Sequence, residues 1–407
     1  MNTHRMEAQI KQRYEKLTEK LREVTADIDK CRSQLNITKK GRNKKFHHVN
    51  KYRSLHPNLF HDPIYICFLL GVGMFFVLCT MACTFIFLSS IFYKGWAFVL
   101  TSQSYFTGKA IPNLKGKTAI VTGYSASSIS RSVVFELARK GCDVVATVDP
   151  SIMDSYNTDQ LRKHLEYSVG YSFHDRIGSV KFIGVDMTSF KSIKKCIKKL
   201  LVKRLDILIL NEDSFLSEYR STEAGIEHHF AANYLGPFLF TKLLLKKIKR
   251  SRTRVLLTTN YAYRKAYPDV GMRFDLLNKE TKDYRATHAY GQSKLALVSI
   301  VPSLDRILQG SHATINSIYP GLVTDTLMEE KSWVYGHNWF SSMTASSAAL
   351  TILYAASSPI FTDVSGKHIE PAGVIMDKPP AYQANETMSN MLYKRSFTLS
   401  NQFFINF

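Results

Sequence analysis

The sequence predicts an α/β protein built on a doubly wound parallel sheet, preceded by a coiled-coil-like N-terminal helix and one transmembrane helix. Three observations predict it. After Leu114, short β-rich runs alternate with amphipathic segments. From Ile64 to Tyr93 thirty residues pass without a charge. Before that run, Ile10, Tyr14, Leu17, Leu21, Val24, Ile28, Cys31 and Leu35 recur at alternating steps of four and three. The segments read as a basic tail over 1–62 with its heptad helix at about 10–35, a transmembrane helix over 64–93, an α/β domain over 114–375 and a C-terminal tail over 376–407.

The 4-3 spacing is that of a coiled coil, with Glu, Lys and Arg on the outer positions, so it predicts a homodimer through this helix. An amphipathic helix lying on lipid is the alternative, helped by Lys39, Lys40, Arg42, Lys44 and Lys45. The uncharged run exceeds the roughly 20 residues needed to cross a bilayer, so it tilts, protrudes or bends, with Gly71 and Gly73 as points for a bend. A single span is the leading reading and a re-entrant hairpin the other. Residues 1–62 hold fifteen Lys/Arg and seven Asp/Glu, whereas Lys94 is the only basic residue close behind the run. That asymmetry places the N-terminus in the cytosol and the large domain in the lumen, with the endoplasmic reticulum as the expected membrane.

A chain of 407 residues, 45% hydrophobic and 21% charged, can bury a sizeable core and is neither disordered nor fibrous. The net charge of +21 is spread along the chain. Six cysteines, with no CxxC and no His/Cys cluster at ligand spacing, argue against a disulfide scaffold and a metal site.

Within the domain TAIVTG (118–123), DVVATVD (143–149), VKFIGVD (180–186), LDILIL (205–210), RVLLTT (254–259) and ATINSIYP (313–320) are the strands. The first ends at Thr122-Gly123. A helix follows with Ile129, Val133 and Leu137 on one face, and Gly141 stops it. Such a strand, turn and helix, a Rossmann-like unit, can hold a dinucleotide pyrophosphate at the helix N-terminus.

GKTAIVTG, VDMTSFKSI, LDILIL, NYLGPFLFTKLLL, YGQSK and YPGLVTDT follow one another in the order and spacing of the short-chain dehydrogenase/reductases. The sequence most resembles their retinol-dehydrogenase-like branch, from about Leu114 to Pro371. The resemblance implies an NAD(P)-dependent oxidoreductase in which Tyr290 exchanges the alcohol proton, while Lys294 stabilises its phenolate and holds the nicotinamide ribose. At i and i+4 of a helix the two share a face. It also implies that Asn233 bends its helix and anchors a water leading to the lysine, that Asp186 bonds adenine, and that Asn211, Pro320 and Gly321 border the cofactor.

Several positions depart from the family pattern. The loop after the first strand has serine at both later glycine positions, Ser128 and Ser130 flanking Ile129, and each serine is expected to bring its side chain toward phosphate. The turn after the fourth strand is Asn211-Glu212-Asp213, which puts two carboxylates where the nicotinamide ribose would pass. The family's catalytic serine falls on Asn260, next to Thr259; its amide can still donate to a substrate oxygen. Asp149 ends the second strand. A carboxylate there repels a 2′-phosphate and accepts from ribose hydroxyls, so NAD rather than NADP is expected.

Trp333, Tyr335, Trp339 and Phe340 read either as a lid over a lipophilic substrate or as packing aromatics. The basic stretches 191–206 and 242–254 read as solvated lysine faces, with anionic lipid the next partner; no motif points to nucleic acid. Asn385-Glu-Thr is the one glycosylation sequon after the uncharged run. Two functions stay open: a membrane-anchored oxidoreductase acting on a lipophilic alcohol or carbonyl, and a catalytically inactive relative serving as a binding or scaffolding module. The altered loop, Glu212-Asp213 and Asn260 discriminate between them.

Overall fold

The computed structural model describes residues 111–125, 127–169, 178–268, 270–323, 343–377 and 385–405. The heptad segment, the uncharged run 64–93 and the aromatic segment 327–340 lie outside the described residues. Among the described residues no helix is long and apolar enough to cross a membrane.

Each β-rich run forms a strand: β1 (Thr118–Val121), β2 (Asp143–Val148), β3 (Val180–Gly184), β4 (Ile207–Leu210), β5 (Arg254–Thr258) and β6 (Thr314–Ile318). Two three-residue strands, β7 (His368–Glu370) and β8 (Val374–Met376), complete an eight-stranded sheet of order β3-β2-β1-β4-β5-β6-β7-β8. All pairs are parallel except β7 with β8. A parallel sheet is covered on both faces, which is why its strands read as continuous apolar runs. Successive residues feed opposite cores: Ile120, Leu208, Leu210, Val255, Leu257 and Ile315 pack on one side, and Ala119, Val121, Ile207, Ile209 and Leu256 on the other.

Helix α1 (Ser128–Arg139) buries Val133 and Leu137 against the second core, and Gly141 at φ +93° turns the chain into β2. The short α2 (Pro150–Ser155) and α3 (Thr158–Val169) lead to β3. In α4 (Phe190–Lys199) Phe190, Ile193 and Cys196 are buried while Lys191, Lys194, Lys195, Lys198 and Lys199 face water, the expected solvated lysine face. The crossover to β5 starts with α5 (His228–Phe230), passes through a π-helical turn at Ala231–Leu235 and continues as α6 (Gly236–Ser251).

Helices α7 (Ala286–Ser299) and α8 (Val301–Leu308) connect to β6, and α9 (Ala345–Ser357) precedes β7. The segment expected to be a C-terminal tail instead contains a 20-residue helix, α10 (Glu386–Ile405), that packs on the domain. Tyr234 Oη meets Ser396 Oγ at 2.7 Å, Lys242 Nζ donates to Asn401 Oδ1 at 2.7 Å, and Ser303 pairs with Ser389 at 2.8 Å. Apolar spacing explains the docking, since Leu392 and Leu399 are buried.

Strand order reverses between β1 and β4. The crossovers leave a crevice outside the carboxyl ends of the strands at such a point, and the site lies there.

Candidate active site

The chain leaves β1 through Thr122 and Gly123. Gly123 has φ +74°, and a Cβ on it would stand 2.2 Å from the Asn211 carbonyl oxygen, so glycine alone fits this approach of β1 to β4. The following loop is tied to β2: Tyr124 N–H donates to Thr147 O at 3.1 Å, and Asp149 N–H donates to Ser125 Oγ at 3.0 Å. Ser127 caps α1, its Oγ accepting from Ile129 N–H at 3.1 Å.

Ser130 does not turn toward a phosphate. Fully buried, it donates to Thr122 O at 3.3 Å and accepts from Asn211 Nδ2 at 2.6 Å. The hydroxyl that replaces a glycine therefore serves as a staple between the two strand ends. Ser128 and Ile129 begin α1, and Ile129 packs against the core beneath.

A cleft of about 290 Å³ opens at the switch point, lined by Gly123, Asp149, Asp186, Glu212, Ser214 and His228 among others. Asp149, exposed, caps α2 by accepting from Ser151 N–H at 2.9 Å and Ser151 Oγ at 2.6 Å. Asp186 Oδ1 accepts from Thr188 N–H at 2.8 Å and Thr188 Oγ1 at 2.7 Å. Both residues line the cleft.

Behind Glu212 and Asp213, and not themselves lining the cleft, Tyr290 and Lys294 stand on one face of α7, both buried, with the Lys294 ammonium 5.6 Å from the Tyr290 ring centre. Asn260 Nδ2 donates to Tyr290 Oη at 2.5 Å, while Asn260 Oδ1 accepts from Ala262 N–H at 3.1 Å and fixes the amide orientation. The neighbouring Thr259 donates to Lys294 O at 3.0 Å, joining the end of β5 to α7. Asn233, in the π-helical turn, accepts from Ser214 N–H at 2.7 Å and donates from Nδ2 to Ser214 O at 2.9 Å and Ser293 Oγ at 3.0 Å. Its amide thus locks the β4 turn to α7. Pro320 and Gly321 follow β6 and are buried, Gly321 with φ +116° and close to Met343. Neither they, Thr122 nor Asn211 line the cleft, although Thr122 and Asn211 shape its floor.

The two acids after Asn211 converge on these groups. Tyr290 Oη donates to Asp213 Oδ1 at 2.6 Å, which also lies 3.1 Å from Lys294 Nζ. Lys294 donates to the Glu212 main-chain oxygen at 2.6 Å. The Glu212 carboxyl is pushed up to about 7, chiefly by burial and also by Asp213, against the pull of the Thr122 hydroxyl, Lys294 and the Gly123 N–H.

Sequence reasoning missed the histidines at the start of the α5 crossover. His228 Nε2 meets Ser214 Oγ at 2.7 Å on the cleft wall, and burial together with neighbouring His229 holds it below the usual imidazole range. His229 Nε2 accepts from Leu216 N–H at 2.8 Å, so its proton is on Nδ1, 2.7 Å from Glu227 Oε1. Burial pushes Glu227 up, but the His229 ring and the N–H groups of Phe230 and His229 outweigh it and keep the carboxyl below its ordinary value. The only sequence signal was two adjacent histidines, which carry no spacing code.

Tested against a nicotinamide dinucleotide, the residues fit. Gly123, Asp149 and Asp186 line the cleft, the two aspartates as acceptors, and the Lys294 ammonium is buried behind Asp213, which also lines it.

Comparison with known proteins agrees. The short chain dehydrogenase family profile matches residues 117–272. Human retinol dehydrogenase 13 is 31% identical over 314 residues, 73% of this chain and 89% of that protein. Human polyprenol dehydrogenase is 30% identical over 279 residues, 65% of this chain and 79% of that protein. The crystal structure of an uncharacterised protein from Mycobacterium paratuberculosis superposes with a TM-score of 0.55 at 22% identity, covering 73% of this chain and 97% of that one, and shares the fold. With the ordered motifs, the sheet order and the Tyr290–Lys294 pair in place, the chain belongs to the short-chain dehydrogenase/reductase family, in its retinol-dehydrogenase-like branch.

Proposed function

We propose that this protein is a membrane-anchored, NAD-dependent oxidoreductase that interconverts a lipophilic alcohol and its carbonyl. The observation that carries the reading is the triangle at the head of α7: Asn260 donating to Tyr290 Oη at 2.5 Å, with buried Lys294 one turn on. Tyr290 Oη gives or takes the substrate proton. Lys294 supplies the positive charge that favours the phenolate, and Asn260 orients the oxygen that receives the proton. Gly123, Asp149, Asp186 and Lys294 are the residues that would hold the cofactor, which when bound supplies the hydride donor or acceptor. Asp149 supports NAD over NADP, because a 2′-phosphate would meet its charge. The retinol and polyprenol named for the relatives support a long apolar substrate.

The uncharged run 64–93 is the anchor in this reading, with the tail cytosolic and the domain lumenal, and the heptad segment makes a homodimer. A second reading, a catalytically silent binding module, is favoured by one observation: Asp213 already engages both Tyr290 and Lys294.

The deciding experiment assays retinoid, steroid and fatty alcohols and their carbonyls with NAD(H) and NADP(H), on the wild type, Tyr290→Phe and Asn260→Ser. Turnover that vanishes in Tyr290→Phe supports the oxidoreductase. Silence on every substrate, together with no dinucleotide binding, supports the silent module.

A further inference from the structure

Asp213 makes contacts that no step of the proposed reaction uses. Its Oδ1 accepts from the Tyr290 hydroxyl at 2.6 Å and lies 3.1 Å from Lys294 Nζ. The lysine side chain is 2% exposed and the aspartate 28%, so the carboxylate reaches a buried cation from the open side of the crevice. Next to it the Glu212 carboxylate accepts from the Gly123 N–H and the Thr122 hydroxyl. One dipeptide therefore spends its oxygens on donors from the end of β1 and from α7. A ligand that binds through hydroxyl or phosphate oxygens needs those same donors.

The main chain around Asp213 cannot move aside easily. Lys294 holds the oxygen of the preceding residue at 2.6 Å, and Asn233 grips both the N–H and the carbonyl of Ser214 at 2.7 and 2.9 Å. The aspartate side chain, 28% exposed, is the element that can turn. A change of rotamer carries it outward, where water replaces the contacts it gives up.

We infer that Asp213 is a resident occupant of the seat that a nicotinamide ribose takes on Lys294, so that dinucleotide binding is an exchange in which the Asp213 side chain turns out to solvent. The inference rests on the oxidoreductase reading above and deepens it by naming the residue that sets cofactor affinity. The free protein gives up the contacts of Asp213 with Tyr290 and Lys294 before the ribose hydroxyls replace them, and the apparent affinity falls by the population of the outward rotamer. Asp213 acts through Tyr290 and Lys294 and is a positioning residue.

The test is calorimetric titration of NADH into the full-length detergent-solubilised protein, Asp213→Ala and Asp213→Asn, with circular dichroism to compare their folds. Asp213→Ala should bind about tenfold more tightly or better, equivalent to about 1.4 kcal/mol. Asp213→Asn, which keeps the shape and loses the charge, should fall between the two. Should Asp213→Ala fail to fold, Asp213→Asn decides alone. Equal or weaker binding by the folded variants, beside measurable binding by the wild type, would overturn the exchange and leave the oxidoreductase reading standing. Absence of NADH binding in all three proteins would overturn that reading and the exchange with it.

Discussion

Replacing Glu212 by glutamine should make the protein more stable in alkaline solution and leave it little changed in acid. Burial raises the Glu212 carboxyl from its ordinary 4.5 to about 7, despite help from Thr122, Lys294 and the Gly123 N–H. The folded protein therefore keeps a proton that the unfolded chain releases. Between those two values the folded state binds more protons, so stability falls as pH rises from about 4.5 to about 7 and is level on either side. At 1.36 kcal/mol per pH unit the loss is about 3 kcal/mol for the wild type at pH 8. Glutamine does not titrate, and its amide oxygen can accept from Gly123 N–H and Thr122 as the acid does, so the variant escapes the loss. Thermal unfolding of both proteins in the same detergent, from pH 5 to 8.5, reads the difference directly. Other titrating groups are common to both and cancel. The midpoints should lie close together at pH 5 and separate by roughly 5 °C at pH 8, the variant higher, for a folded unit of this size. Parallel curves across that range would refute the argument, because they would mean that Glu212 titrates alike in the folded and unfolded chains.

Four further outcomes are expected. Tyr290→Phe should lower turnover at least roughly 10²- to 10⁴-fold while dinucleotide affinity measured by calorimetry does not fall, since only the hydroxyl is removed and with it one of the contacts that hold Asp213 inward. Gly123→Ala should cost roughly 2 kcal/mol or more in urea unfolding, because its φ is +74° and the new methyl meets the Asn211 carbonyl at 2.2 Å. The wild type should bind NADH more tightly than NADPH, and Asp149→Ser should narrow that gap; a wild-type preference for NADPH would dismiss the role given to Asp149. In sealed microsomes protease should spare the domain and remove the 1–62 tail, and digestion of the domain with the tail spared would reverse the topology.

The sheet was legible because its inner strands are buried on both faces. Runs such as Leu205–Leu210 and Arg254–Thr259 leave no alternative within a pattern of intervening amphipathic helices. Strands β7 and β8 were not, since three residues each carry no periodicity and pair only because β6 and the turn at Pro371–Gly373 bring them together. In the site, the i, i+4 spacing put Tyr290 and Lys294 on one helical face, and the motif order placed Asn260 and Asn233 near them. The inward turn of Ser130 depends on Asn211, 81 residues away, and no local rule could supply it. The carboxylates of Glu212 and Asp213 were visible as an adverse charge on the ribose path. That Asp213 would pair with a tyrosine 77 positions later is a matter of rotamer and pocket depth, which sequence does not encode locally.

The docking of α10 joins the end of the chain to the chemistry at its centre. Tyr234 sits in the same π-helical turn as Asn233, and its hydroxyl bonds to Ser396 on α10 at 2.7 Å. Asn233 in turn fixes Ser214 and Ser293, one residue away from Asp213 and Lys294 respectively. Shortening the polypeptide before Glu386 would strip a buried tyrosine of its partner and loosen the footing of that turn. Helix α10 is thus a buttress for the Tyr290–Lys294 pair, and a truncation that removes it is an alteration of the proposed reaction centre even though it lies outside the crevice.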